Sequence, residues 1–259
     1  ISNNLNPFSC RKDWTFLSNS IKKFGMLSPI LVRKKEDCWE IISGNGRFNC
    51  INEIFPAIEI ECDDLEALEL YIYENSQRSF DTVEKALILS SLHNKFNLGF
   101  NEISKQYSEL LSLPAGNEII SNHIDLLKLP NFALDEIAKE KIDLKNGLIL
   151  LNFSDEKDVK FLIEISNKCK LNFNKQKEIW TYIWEICVKE KISITELFDK
   201  KEIKNIEDNK NYSVTLKKNL QNILNPNINF YENLFEKTTK EIKFTDRKST
   251  RLNSSHRIR

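Results

Sequence analysis

The chain lacks any run approaching the ~18 consecutive apolar residues of a membrane-spanning helix, which excludes a span of that kind, and no membrane partner is expected. Its first residues, Ile1-Ser-Asn-Asn-Leu-Asn-Pro7, lack the charged-then-apolar layout of a secretory signal, so a soluble cytoplasmic protein is expected. There is no Cys-x-x-Cys pair. The six cysteines (Cys10, Cys38, Cys50, Cys62, Cys169 and Cys187) are widely spaced, signalling neither a zinc cluster nor a dense disulfide framework, and buried free thiols are expected. Methionine is confined to Met26, and the chain opens on Ile1. Net charge is missing too, with 38 basic and 38 acidic residues. That balance is partly an artefact, because Asp246-Arg-Lys-Ser-Thr-Arg-Leu-Asn-Ser-Ser-His256 reads as a translated sequencing adapter, and residues 246–259 are set aside as a non-native tail. Without its five basic residues and one acid, 33 basic residues face 37 acidic ones, a net charge of −4. The tail arginines therefore lend no weight to a nucleic-acid-binding arm, and the natural C-terminus is expected to lie elsewhere.

What is present is apolar content, 41% of 259 residues, enough for one large or two ordinary domains at roughly 100–200 residues each. Leu17, Ile21 and Phe24 recur at helical spacing after the Asn6-Pro7 turn, and Gly25 ends that helix. Pro29–Arg33 and Cys38–Ser43 are β-branched or aromatic runs joined by polar Lys34–Asp37, which predicts a hairpin or two adjacent strands. Gly44-Asn45-Gly46 introduces a helix from Arg47 to Phe55 that Pro56 stops, and Ala57–Cys62 is a third strand. Leu65, Leu68 and Ile72 start a helix that ends near Asn75.

From Asp81 the texture is helical. Asp81-x-x-Glu84 forms a capping box ahead of Val83, Ala86, Leu89, Leu92 and Phe96. Asn101 is expected to cap a helix toward Leu111, Leu113–Asn117 to turn, and Glu118–Leu129 to form a helix stopped by Pro130. Two short helices, an amphipathic stretch over Asp155–Ile165, and a helix over Lys175–Glu190 with Ile179, Ile183, Ile186, Trp180 and Trp184 follow. The fold class is α+β: a small mixed α/β N-terminal domain over residues 1–80, then an all-helical domain over 81–200. Residues 201–245 read as a linker or truncated C-terminal element.

Three segments carry candidate chemistry. Gly44-Asn45-Gly46-Arg47 sits at a strand-to-helix turn, where backbone N–H groups and a guanidinium suit a phosphate, although a glycine there equally serves positive φ. Glu74-Asn75-Ser76-Gln77-Arg78 places hard oxygen ligands beside a phosphate-pairing guanidinium, as a Mg²⁺-nucleotide needs; the plainer reading is a helix C-cap at Asn75 and a solvated charge at Arg78. Arg11 alone reads as a surface charge.

In this order the segments resemble the ParB partition-protein family. Its Asn-Pro-x-Gln-Pro-Arg motif reads here Asn6-Pro-Phe-Ser-Cys-Arg11, and Ser-Ile-x-x-x-Gly-hydrophobic-x-x-Pro-Ile is matched throughout by Ser20-Ile-Lys-Lys-Phe-Gly-Met-Leu-Ser-Pro-Ile30. The Gly-Glu-Arg-Arg phosphate motif reads Gly44-Asn45-Gly46-Arg47, and Glu-Asn-x-Gln-Arg is intact at Glu74–Arg78. Ile120-Ser-Asn-His-Ile-Asp-Leu-Leu-Lys-Leu-Pro130 is similar to the end of the family's helix-turn-helix, here degenerate.

The resemblance implies a ParB/sulfiredoxin-like domain that binds CTP, coupled to a helix-turn-helix domain on DNA, with nucleotide closing a homodimer into a clamp and a partition ATPase as a further partner. Such a protein is nucleoid-associated, and its enzymatic activity is at most a slow Mg²⁺-dependent CTPase. Carried over, Arg11, Gly44, Asn45, Gly46, Arg47 and Arg78 contact nucleotide, and Glu74 and Asn75 hold Mg²⁺. Asn117, Ser121, Asn122, His123 and Lys128 are the DNA-binding candidates. Asn45 and Gly46 replace the Glu and first Arg of the phosphate motif, removing one of two guanidiniums, and the recognition-helix segment Glu118–Leu127 holds two acids and no Arg or Lys. An enzyme of the same superfamily, a nuclease or phosphotransferase with Glu40 or Glu74 as general base, stays open, as does a nucleotide-independent adaptor. Sulfiredoxin chemistry needs a thiol where this chain has Asn45.

Overall fold

The computed structural model describes residues 14–51, 54–200, 203 and 212–224. β1 (Ile30–Lys35) and β2 (Cys38–Ser43) pair antiparallel around a two-residue turn in which Glu36 takes the left-handed conformation, φ 52°. The register sets Val32 opposite Ile41 and Arg33 opposite Glu40. β3 (Ala57–Glu59), shorter than the sequence suggests, joins the other edge of β1 in parallel, giving the order β2-β1-β3.

Because side chains alternate along a strand, Ile41 and Ile42 serve opposite faces. Ile30, Val32 and Ile41 fill one, with Met26, Phe48 and Phe55 against them. Ile42 enters a larger core with Ala67, Leu68, Tyr71 and Ile72 of α3 (Asp64–Asn75). The start of α3 is fixed by a capping box: the Asp63 side chain accepts from the Glu66 N–H while the Glu66 side chain accepts from the Asp63 N–H.

One ion pair lies inside the sheet. Arg33 and Glu40 are 3% and 1% exposed, and Arg33 Nε donates to Glu40 Oε2 at 2.7 Å. Arg33 Nη1 donates to the Asp63 carbonyl at 2.6 Å, and the guanidinium also pairs with Asp64. Lys35 and Lys95 approach Asp64 at 3.1 and 3.0 Å. Hydrogen bonds from Lys95, Lys35 and Arg33 hold the Asp64 carboxyl well below the usual carboxylate range. Its stabilising contribution is therefore present above the unfolded-state value and is lost as pH falls through the depressed folded-state value. Glu40, a general-base candidate from sequence, is corrected here: it is committed to Arg33 and shielded from solvent.

α4 (Thr82–Ser90) carries the expected Asp81–Glu84 capping box and runs on into a π turn at Ser91–Lys95. α5 (Phe100–Tyr107), α6 (Asn117–Leu126), α7 (Asn131–Ala138) and α8 (Leu144–Leu150) follow, with α6 packed against α4, α5 and α8. The core that starts at Ile42 continues through Leu89, Leu92, Ile103, Tyr107 and Ile120, crossing residue 80 without a break.

Two expectations shift. The helix expected over Arg47–Phe55 is the single turn α2 (Asn45–Asn49). Phe48 and Phe55 both turn into the cluster at Ile30 and Val32, meeting edge to face at 5.7 Å, and the Ile30 N–H donates to the Pro56 carbonyl, which begins the β3 pairing. Asn101 lies inside α5, whose cap is Gly99.

The chain divides within α9 (Glu156–Lys168) into compact units of residues 1–160 and 161–259. In the second unit α10 (Phe173–Glu190) buries Ile179, Trp180, Ile183 and Ile186, and Trp180 Nε1 donates to Ser166 Oγ at 3.1 Å. Trp184 stays at the rim. α11 (Ile194–Asp199) packs against α10, as does α12 (Tyr212–Leu224), which buries Leu216, Leu220 and Leu224.

Candidate functional site

α1 (Thr15–Phe24) packs against α2, and the two border a cleft of about 670 Å³. The Gly44–Arg47 turn lines one part and Glu74, Asn75 and Arg78, from the end of α3 onward, another. Every described residue assigned from sequence to nucleotide or metal thus meets in one cleft, of a size typical for small-molecule sites, about 300–1,000 Å³. Arg11 lies outside the described residues.

Gly44 has φ 105° and ψ 19°, and a Cβ there would stand 3.1 Å from Ile30 Cγ1 and 3.2 Å from Arg47 Nε. Backbone conformation and close packing both demand glycine. Arg47 Nη1 donates to the carbonyls of Ser28 and Pro29 at 2.9 and 2.8 Å, pinning α2 to the loop before β1. Its Nε and Nη2 have no acceptor among the described residues, so this guanidinium keeps an edge for an anion. Asn45 is 5% exposed, and its Oδ1 is a buried acceptor with no partner among the described residues. α2 is one turn long, so its dipole adds little to an anion site.

The departure at Gly46 has a steric counterpart. A Cβ on Gly46 would stand 2.5 Å from Trp14 Cζ3, because the indole ring lies directly on the glycine backbone. Restoring the family's arginine through Gly46→Arg is expected to displace the Trp14 ring and destabilise the fold by about 1–3 kcal/mol. Thermal unfolding and tryptophan fluorescence check this. An unchanged Tm with unchanged emission would contradict the packing.

Glu74 is exposed at the cleft, with its Oε2 accepting from Ser43 Oγ at 3.4 Å. Asn75 Nδ2 donates to the Tyr71 carbonyl at 2.8 Å and its Oδ1 accepts from Arg78 Nε at 3.0 Å. The described residues hold no group of three or more His, Cys, Asp or Glu able to bind a metal. A Mg²⁺ ion that keeps its waters and takes one carboxylate plus phosphate oxygens nevertheless fits Glu74. Arg78 forms a two-point ion pair with Glu84, Nη1 to Oε2 at 2.9 Å and Nη2 to Oε1 at 2.8 Å. Burial, with the Glu84 charge next, pushes the neighbouring Tyr71 phenol up to about 12.

On the helical side, Asn117 Nδ2 donates to Asn101 Oδ1 at 2.8 Å, tying α6 to α5. Ser121 Oγ donates to Asp125 at 3.4 Å and Lys128 pairs with Asp125 at 2.6 Å, while Asn122 is half-buried. His123 is corrected: it is 4% exposed, its Nδ1 sits 2.7 Å from the Ile119 carbonyl, and burial pushes its pKa down, so it is a neutral packing residue. Sequence reasoning missed Trp14 and Ser43 as cleft residues and saw Glu84 only as a cap; the Asp81-x-x-Glu84 spacing that revealed the cap gave no sign of the pairing with Arg78.

The sequence model of the ParB N-terminal domain matches residues 10–76, and that of the ParB HTH domain matches residues 78–185. The nucleoid occlusion protein of Bacillus cytotoxicus is 30% identical over 169 residues, covering 62% of this chain and 56% of its own length. The chromosome-partitioning protein Spo0J of Thermus thermophilus is 30% identical over 158 residues, covering 59% and 56%. The chain thus spans little more than half the length of these relatives. Among solved structures, C-terminally truncated ParB from Caulobacter crescentus complexed to the centromeric parS site is 22% identical with a TM-score of 0.36, covering 72% of this chain and 84% of that one. The same protein complexed with CTP-γ-S is 27% identical with a TM-score of 0.25, covering 56% and 82%. No helix among the described residues is long and apolar enough to cross a membrane. With two successive domain models of one family matched in order along the chain, and relatives at 30% identity agreeing with them, the chain belongs to the ParB family.

Proposed function

We propose that this chain is a DNA-binding ParB-like protein whose N-terminal cleft binds CTP and gates closure of a homodimer on DNA, in chromosome or plasmid partition or in transcription regulation. The observation that carries this reading is the gathering of Gly44, Arg47, Glu74, Asn75 and Arg78 around one cleft. In it Arg47 supplies the charge for phosphate, and Glu74 holds Mg²⁺ together with the phosphates. The bound ion offsets the charge of the triphosphate and fixes its geometry. Residues 1–80 form the nucleotide part and 81–200 the helical part. The DNA contact rests on Asn117, Ser121 and Asn122, with Lys128 already paired to Asp125. A face carrying Glu118 and Asp125 attracts phosphate weakly, so base and shape readout matter more here than charge.

Titration of residues 1–245 with each of the four ribonucleoside triphosphates and Mg²⁺, by calorimetry, tests the reading. Saturable binding selective for CTP is the expected result, followed by CTP-dependent retention on closed DNA. Binding of none of the four moves the function to a nucleotide-independent DNA-binding protein or adaptor.

A further inference from the structure

Arg78 is nearly saturated within the protein. Of its five N–H donors, two hold the carboxylate of Glu84, Nε–H goes to Asn75 Oδ1, and Nη2 also reaches Tyr71 Oη at 3.4 Å. The guanidinium lies over Phe80, 5.0 Å from the ring centre. A phosphate seeking two-point contact with Arg78 must take the edge that Glu84 occupies. Glu84 itself lines the cleft, and its side chain is 11% exposed, so its charge opposes an anion there.

The same carboxylate has a second task. Glu84 Oε2 accepts from the Asp81 N–H at 3.1 Å, and Glu84 belongs to the first turn of α4, the helix packed against α6 and α7. The Arg78–Glu84 pair therefore closes the short link from α3 to α4, joining the cleft to the helical layer.

We propose that Glu84 is a latch: a polyphosphate entering the cleft competes with it for Arg78, and release of the pair frees the Ser79–Asp81 link and the start of α4. This rests on the nucleotide reading above and names the residue through which occupancy of the cleft reaches α6. Glu84 is a positioning residue that acts through Arg78.

Glu84→Gln removes the charge but keeps an oxygen for the Asp81 N–H. Calorimetric titration of this variant and the wild type, with Mg²⁺-CTP and with inorganic tripolyphosphate, is paired with hydrogen exchange over residues 79–85. The variant is expected to bind both ligands about tenfold more tightly, the scale of losing one competing charged hydrogen bond. Exchange over 79–85 is expected to rise on ligand binding in the wild type and to be insensitive to ligand in the variant, with Glu84→Asp partly restoring the wild-type response. A merely structural role would lower Tm without raising affinity. Equal or weaker binding by folded Glu84→Gln overturns the latch and leaves the nucleotide reading standing; binding of neither ligand by either protein overturns both. Unchanged wild-type exchange on ligand binding overturns the latch even if the variant fails to fold.

Discussion

Glu40→Ala is expected to lower the free energy of unfolding by about 3–5 kcal/mol, the scale of stranding one member of a buried ion pair. Arg33, 3% exposed, would keep its positive charge with the Cys62 and Asp63 carbonyls and the rim residue Asp64 as its remaining partners. Urea denaturation of wild type and variant reads the difference directly. The paired variant Arg33→Met with Glu40→Leu is expected to recover part of the loss, since an apolar pair of similar size spares both desolvation penalties. Recovery stays incomplete because the guanidinium also ties β1 to the chain entering α3. A loss below about 1 kcal/mol for Glu40→Ala would mean that water reaches the pair and behaves as at a surface bridge.

Arg47→Ala is expected to weaken nucleotide binding about a hundredfold, because it removes from the cleft lining a guanidinium whose Nε and Nη2 have no acceptor among the described residues, and charged hydrogen bonds contribute about 1.5–3 kcal/mol each. The substitution also releases the carbonyls of Ser28 and Pro29, so Arg47→Lys is the needed companion. Lysine keeps the charge but not the fork, and is expected to recover only part of the affinity. Calorimetry with Mg²⁺-CTP checks both. Unaltered affinity in Arg47→Ala and in Glu74→Ala alike would remove the site from this cleft.

Local signals in the sequence located most elements. The capping box at Asp81, the stop at Gly25 and the β-branched runs of β1 and β2 all act over a few residues, and each stands where its pattern pointed. The short α2 was not legible, because what ends it is the demand of Phe48 and Phe55 for the sheet face, a contact with no sequence period. The site was legible as a set of motifs and not as a set of partners. Nothing in Glu74–Arg78 announces that Arg78 is claimed by Glu84, nor does a lone Glu40 between Trp39 and Ile41 announce an arginine across the strand pair. His123 misled for a related reason: Asn122 and Asp125 make its surroundings look polar, while the helix turns the imidazole inward.

The core that passes from Ile42 through Leu89 to Ile120 makes the sheet and the first helices one cooperative folding unit. A fragment ending near residue 80 would leave the Tyr71 and Ile72 face without the side chains that cover it. For the same reason, any ligand that selects the folded cleft raises the free energy of global unfolding for the whole unit, sheet and helices together, in proportion to the logarithm of its concentration over its dissociation constant, even where it loosens the start of α4 locally. Even with the Arg78–Glu84 link taken away, the two ends of this unit would still share a melting transition, and the latch would change only how finely one end senses the other.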